Sequence, residues 1–247
     1  MPATPAWPPK SLPRLFVRKL LSEGAAVELD ARQANYLGNV LRLGEGAQLL
    51  IFDGTSGEWL ARITAAGKKN MTLAVERETR GPESVPDLWL AFAPVKRSQT
   101  DWLVEKAAEL GAARLIPVMT QRTIAERVRL ERLESIAIEA AEQCGRTILP
   151  QIEGQVSLAQ FLEQRDTKRT LYFADESGGE SAASAFKPGS AAILTGPEGG
   201  FTAEEREQVR GAPNTVAITL GPRILRAETA ALAALASYMA IAGDWPR

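Results

Sequence analysis

Two glycine-bearing turns, each leading into a helix start, hold the side chains best suited to chemistry in this 247-residue chain. In AAILTGPEGGFTAEE, residues 191–205, four apolar residues run into Thr195-Gly196-Pro197-Glu198-Gly199-Gly200, and Thr202 is placed to cap a helix. In VAITLGPRILRAETA, residues 216–230, the turn adds Arg223 and Arg226, with Glu228 and Thr229 at the start of the next helix. Ligands of open α/β sheets sit outside the carboxyl ends of strands, so both turns are candidate ligand loops. A P-loop is excluded, because GxxxxGK[ST] supplies a lysine to the phosphates and Gly200 is followed by Phe201-Thr202. The spacing Gly196, Gly199, Gly200 also fails the dinucleotide pattern GxGxxG. What remains is a neutral ligand edge, such as adenine, bonded by backbone groups, or glycines that only make tight turns. The two arginines could hold phosphate or stabilise a developing negative charge. They could equally mark a solvated helix end, although a guanidinium at a helix N-terminus opposes the dipole.

Composition narrows the chemistry further. The chain contains no histidine, which excludes a histidine metal site, a Ser-His-Asp triad and an imidazole base. Cys144 is the one cysteine, so no internal disulfide can form and a reducing compartment is expected. No apolar run approaches the ~18–20 residues that span a membrane, and MPATPAWPPK does not read as a signal peptide. A cytoplasmic protein is expected. Residues 1–80 hold 11 Lys/Arg and 8 Asp/Glu, whereas residues 81–247 hold 18 and 22. A small basic front on an acidic body suits a polyanion-binding module joined to a catalytic one, and chance scatter of charge would look the same.

The elements that must position the two turns come in two styles. Pro2, Pro5, Pro8 and Pro9 predict a disordered arm over residues 1–12. From 13 to 80, RLFV, AVEL, AQLLIFD, GEWLARITAA and NMTLAVER read as short strands, and Asp53-Gly54 marks a hairpin. Asp30 can cap one helix, ARQANYLGNVLRL, so the region predicts a small β-barrel of the kind that holds RNA. ETRGPESVPD, broken by Gly81, Pro82 and Pro86, predicts a domain boundary. From 86 to 247 strands and helices alternate, which implies a mostly parallel sheet covered on both faces.

Taken together, LTGPEGGFTAEE and ITLGPRILRAETAAL closely resemble the RsmE family of SPOUT methyltransferases, which methylate uridine N3 in 16S ribosomal RNA. PRLFV, NYLGNVLRLGEGAQLLIFDG, VEKAAELGAARLIPVMTQRT and IAIEAAEQCGRTILPQI extend the resemblance from Leu12 to Gly243, in family order. One departure is that Asn35-Tyr36 stand where the barrel helix of the family often carries histidine.

The resemblance implies a PUA-like RNA-binding barrel, a C-terminal SPOUT domain with a deep trefoil knot, S-adenosylmethionine as cofactor, no metal, and a homodimer. Leu194, Thr195, Gly196, Glu198, Gly199 and Gly200 match the first cofactor loop of the family. Leu220, Gly221, Ile224, Leu225 and Arg226 match the second, and Phe173 and Ala174 fall at a third strand end. Arg14, Arg42, Lys96, Arg122 and Arg146 fall in basic family segments and are expected to contact phosphate. The partner implied is 16S ribosomal RNA within the small ribosomal subunit. Arg226, with Arg223 in reserve, is expected to stabilise a uracil anion, and Glu228 to orient an arginine or receive the proton. Close backbone approach of the cofactor is expected at Gly196 and Gly200. The alternatives are another SPOUT target, such as a ribose 2′-hydroxyl, or an RNA-binding assembly factor without catalysis.

Overall fold

The structure, a computed structural model, describes residues 12–67, 70–125 and 127–245; the arm expected over residues 1–12 lies, Leu12 apart, outside them. The chain divides into two compact units. One comprises residues up to Glu83 together with Gly145–Ile148, and the other Ser84–Cys144 with Leu149 onward.

In the first unit β1 (Arg14–Phe16), β2 (Ala26–Leu29), β3 (Gln48–Phe52), β4 (Glu58–Ala66) and β5 (Met71–Arg80) form one sheet in the order β1-β3-β4-β5-β2. All five expected strands are present, and Asp53 turns β3 into β4 by accepting from Thr55 N–H at 2.8 Å and Ser56 N–H at 2.7 Å. Their inward residues, among them Leu49, Ile51 and Leu73, bury completely around Leu37. The expected helix starts at Asp30, whose side chain and that of Gln33 form a reciprocal capping box. It is α-helical only as α1 (Ala31–Asn35) and then widens to a π-helical turn over Tyr36–Val40. Gly38 and Asn39 are weak helix formers, and the wider turn, closed by Leu41 N–H on Tyr36 O at 3.0 Å, keeps Leu37 and Leu41 on the core.

The second unit runs β6 (Leu88–Phe92), α2 (Arg97–Glu109), β7 (Arg114–Met119), α3 (Leu130–Cys144), β8 (Gln151–Ile152), β9 (Val156–Ser157) and α4 (Leu158–Gln164). It continues with β10 (Thr170–Ala174), β11 (Glu180–Ser181), α5 (Ala182–Ala185), β12 (Ala191–Thr195), α6 (Ala203–Gly211), β13 (Thr215–Thr219) and α7 (Ala227–Ile241). The strands form a parallel sheet in the order β11-β13-β10-β12-β6-β7-β8, with β9 on β7. Period-two alternation sends Leu88, Leu90, Phe92, Tyr172 and Ile193 to one face, where α2, α3 and α7 cover them. Ala91, Leu171, Phe173, Ala192 and Leu194 point to the other, under Leu158 and Phe161 of α4 and Val209 of α6. Burial on both faces explains why the strands read as continuous apolar runs. The mostly parallel sheet covered by helices is as expected. β8, β9, β11 and α5 were not, because pieces of two to four residues carry no readable period. No helix among the described residues is long and apolar enough to cross a membrane.

Candidate active site

Because β13, β10 and β12 are parallel neighbours, their carboxyl ends emerge side by side on one edge of the sheet. The loops that follow them enclose a cleft of about 380 Å³. Ala174 belongs to it from β10, and Thr195, Gly196, Glu198 and Gly200 from the first glycine turn. The second turn contributes Leu220, Gly221, Arg223, Ile224, Leu225 and Arg226. The two turns, separated in sequence, thus face one space. Four of the expected residues do not line it. Phe173 and Leu194 are fully buried in the core beneath, Gly199 faces Arg122, and Glu228 lies half-buried in the first turn of α7.

The shape of the first turn is fixed from within. Phe201 is buried and packs edge-on to Phe173, ring centroids 5.0 Å apart. A Cβ on Gly196 would stand 2.6 Å from the Phe201 ring, so the residue must be glycine for packing alone. Gly200 has φ +66°, and a Cβ there would meet the Glu176 carboxylate at 2.6 Å. Both glycines line the cleft, and each also answers a demand of the loop itself: the Phe201 ring at Gly196 and the left-handed backbone at Gly200. Arg122 Nη1 donates to Gly199 O at 2.8 Å. Thr202 and Glu205 form a reciprocal capping box at the start of α6, and Glu205 also accepts from Gln121 N–H at 2.7 Å.

Asp175 and Glu176, which sequence reasoning missed, also line the cleft, Glu176 with its side chain exposed. The Asp175 side chain is fully buried and ion-paired to Arg210 at 2.7 Å and Arg206 at 3.1 Å. Burial pushes its pKa up, but hydrogen bonds from Ser177 and Arg210 outweigh that and hold it below the ordinary carboxylate range. Such a group contributes stability above its unfolded pKa, and that contribution fades as pH falls through its folded pKa. Asp175→Asn is expected to cost about 2 kcal/mol at neutral pH, below the figure for a sealed pair because both arginines are partly exposed. Thermal unfolding followed against pH should show the two proteins converging in acid below about pH 4. A gap that persists undiminished there would mean that packing, not charge, was lost.

At the opposite wall Arg226 is the N-cap of α7, contributing no side-chain cap bond. Arg223 and Arg226 are both exposed, and among the described residues neither side chain has a hydrogen-bond or ion-pair partner. A cation at a helix N-terminus with no ion-pair partner is a structural cost, and both arginines line the cleft. Glu228, by contrast, stands where the helix dipole favours a carboxylate.

Residues 82–239 match the RNA methyltransferase domain family, and residues 29–76 match the RNA methyltransferase PUA domain. The chain belongs to the RNA methyltransferase family. Its relatives include the ribosomal RNA small subunit methyltransferase E of Rickettsia conorii, 34% identical over 90% of this chain and 93% of the relative. That of Bacillus subtilis is 29% identical, with the same coverage. A protein of Legionella pneumophila, solved with the cofactor S-adenosylmethionine bound, superposes with TM-score 0.87 at 30% identity, covering 94% of this chain and 99% of that one. The ribosomal RNA small subunit methyltransferase E of Neisseria gonorrhoeae, also bound to S-adenosylmethionine, gives 0.86 at 30%, covering 95% and 99%.

For an RNA methyltransferase the five basic residues expected to touch phosphate fall into two groups. Arg42, Lys96 and Arg122 are exposed. Arg14 and Arg146 are not free surface cations. Arg14 pairs with Glu58 at 2.7 Å, lies over the Phe52 ring at 4.6 Å and donates to Arg146 O at 2.8 Å. Arg146 is 5% exposed and pairs with Glu83 at 3.3 Å. Their partners are distant in sequence, so only the fold reveals that these charges build the first unit. Among the described residues no group of three or more Cys, Asp or Glu side chains is arranged to hold a metal ion.

Proposed function

We propose that this chain transfers a methyl group from S-adenosylmethionine to N3 of a uridine in 16S ribosomal RNA of the small subunit. The observation that carries the reading is the single cleft on which both family-like glycine turns converge. Relatives that share the fold with S-adenosylmethionine bound support the choice of cofactor. The lining fits it: Ile218, Leu220, Leu225 and Ala230 offer apolar walls to a purine, and backbone groups of the two turns can meet its edge. The carboxylates of Glu176 and Glu198 suit ribose hydroxyls and a cationic sulfonium. When bound, the cofactor supplies an electrophilic methyl group for in-line displacement, which needs alignment more than covalent help.

The protein's own task is to make uracil N3 a nucleophile. Losing the N3 proton spreads negative charge over O2 and O4, and Arg226 stabilises that anion, with Arg223 in reserve. Glu228 serves the helix dipole of α7. With no imidazole in the chain, the proton leaves to water. The single-turnover rate is then expected to rise about tenfold per pH unit across the neutral range, and Glu228→Gln to stay within a few-fold of native. A rate that levels off near neutrality and collapses in Glu198→Gln or Glu228→Gln would assign the proton to a carboxylate base.

The reading includes a division of labour, with residues 13–80 gripping RNA and residues 86–247 performing transfer, and a trefoil knot in the latter. It also includes a cytoplasmic homodimer. Trp102 on α2 and Ile241 on α7 are large apolar side chains left 45% and 41% exposed, of the kind a second copy would cover. Calorimetric titration with S-adenosylmethionine, followed by transfer of labelled methyl to small-subunit ribosomal RNA, tests the proposal. Failure to bind the cofactor would remove it.

A further inference from the structure

The cofactor cleft occupies only part of its edge of the sheet. Beyond β12 come β6 and β7, parallel to it, and their carboxyl ends open onto a second cleft of about 390 Å³. Its floor is apolar: Pro94, Val95 and Leu133 are buried there, and Val128 half-buried. Its rim carries Lys96, Arg97, Arg127 and Arg129, all exposed, while Arg132 is tied to Asp101 at 2.6 Å. Among the described residues the four rim side chains have no hydrogen-bond or ion-pair partner. They gather at the N-termini of α2 and α3, helices of 13 and 15 residues, where the dipoles make added positive charge unfavourable. Among the described residues no acidic side chain pairs with these four cations, and the concentration of charge is complementary to a polyanion. Glu198, in the turn after β12, lines both clefts, so the two are neighbours across one loop.

We propose that the second cleft binds the nucleotide of the substrate RNA strand that flanks the target base. Its phosphates lie on Lys96, Arg97, Arg127 and Arg129, and its ribose and base lie against Pro94, Val95 and Val128. The target base then passes over Glu198 into the cofactor cleft. This assignment rests on the reading of the chain as an RNA methyltransferase, and it adds where the strand runs. An acidic peptide would satisfy the charges alone. A strand explains why they share a loop with the reaction site.

The test uses the full chain carrying Arg127→Ala and Arg129→Ala together, and the same two positions as lysine. Calorimetry with S-adenosylmethionine should give native affinity in both variants, which also verifies folding. Binding of a small-subunit ribosomal RNA fragment, followed between about 50 and 200 mM salt, should weaken at least tenfold in the alanine variant. Its slope of log affinity against log salt should shrink by about 1.4, near 0.7 for each lost contact to a single strand. The lysine variant should recover most of the slope. An alanine variant that binds cofactor, methylates RNA and keeps the native slope overturns this assignment alone and leaves the cations to an acidic peptide. A native chain that binds cofactor but no RNA overturns both this assignment and the function it rests on.

Discussion

Replacing Arg226 by alanine lowers the single-turnover rate of methyl transfer by roughly 10²–10³-fold, the usual loss when one preorganised donor to a developing anion is removed. Affinity for S-adenosylmethionine stays within a few-fold. The separation is expected because the cap role of Arg226 belongs to its backbone, whose carbonyl accepts from Ala230 N–H at 2.8 Å. Arg226 lines the cleft, and its guanidinium has no protein partner among the described residues. Alanine therefore removes charge without loosening α7. Arg226→Lys should recover part of the rate, since it restores the charge but not the planar fork. Cofactor binding and rate that fall in the same proportion would make Arg226 a cofactor ligand. An unchanged rate would pass the role to Arg223.

The second large effect separates space from scaffold. Ala230 faces the cleft from α7, so Ala230→Trp fills the space with a helix-compatible residue and should weaken S-adenosylmethionine binding at least about 100-fold. Its thermal midpoint should move by only a few degrees. Gly196→Val also abolishes binding, but for another reason: its Cβ would meet the Phe201 ring at 2.6 Å, and Phe201 cannot retreat from the core. Overpacking of that kind costs about 1–3 kcal/mol, and the midpoint should fall accordingly. Binding retained in a folded Ala230→Trp protein would show that the cofactor lies elsewhere. A Gly196→Val protein of native stability would show that the glycine serves the ligand and not Phe201.

That contrast marks what is legible in a sequence. Caps are local, and Asp30 and Thr202 could be read because the residues they bond lie three positions on. Strands buried on both faces announce themselves as apolar runs, which is why β10, β12 and β13 and the loops behind them were in view. Contacts across long separations were not. Arg14 reads as a surface cation until Glu58, 44 residues away, is placed beside it. Gly196 reads as ligand space, and only the fold shows that the Phe201 ring also demands a glycine there. Asp175 and Glu176 carry no motif, and they matter because β10 lies between β12 and β13. Glu228 shows the converse: it stands near two arginines in sequence, yet the fold sets it in the first turn of α7 and not among the residues that line the cleft.

The most direct measurement is mass spectrometry of nucleosides from small-subunit ribosomal RNA, taken from cells lacking this protein and incubated with it and methyl-labelled S-adenosylmethionine. The account predicts label in N3-methyluridine, at one site per RNA, and none in ribose-methylated nucleosides. Label on a ribose 2′-oxygen would contradict it, as would a chain that binds the cofactor and transfers nothing.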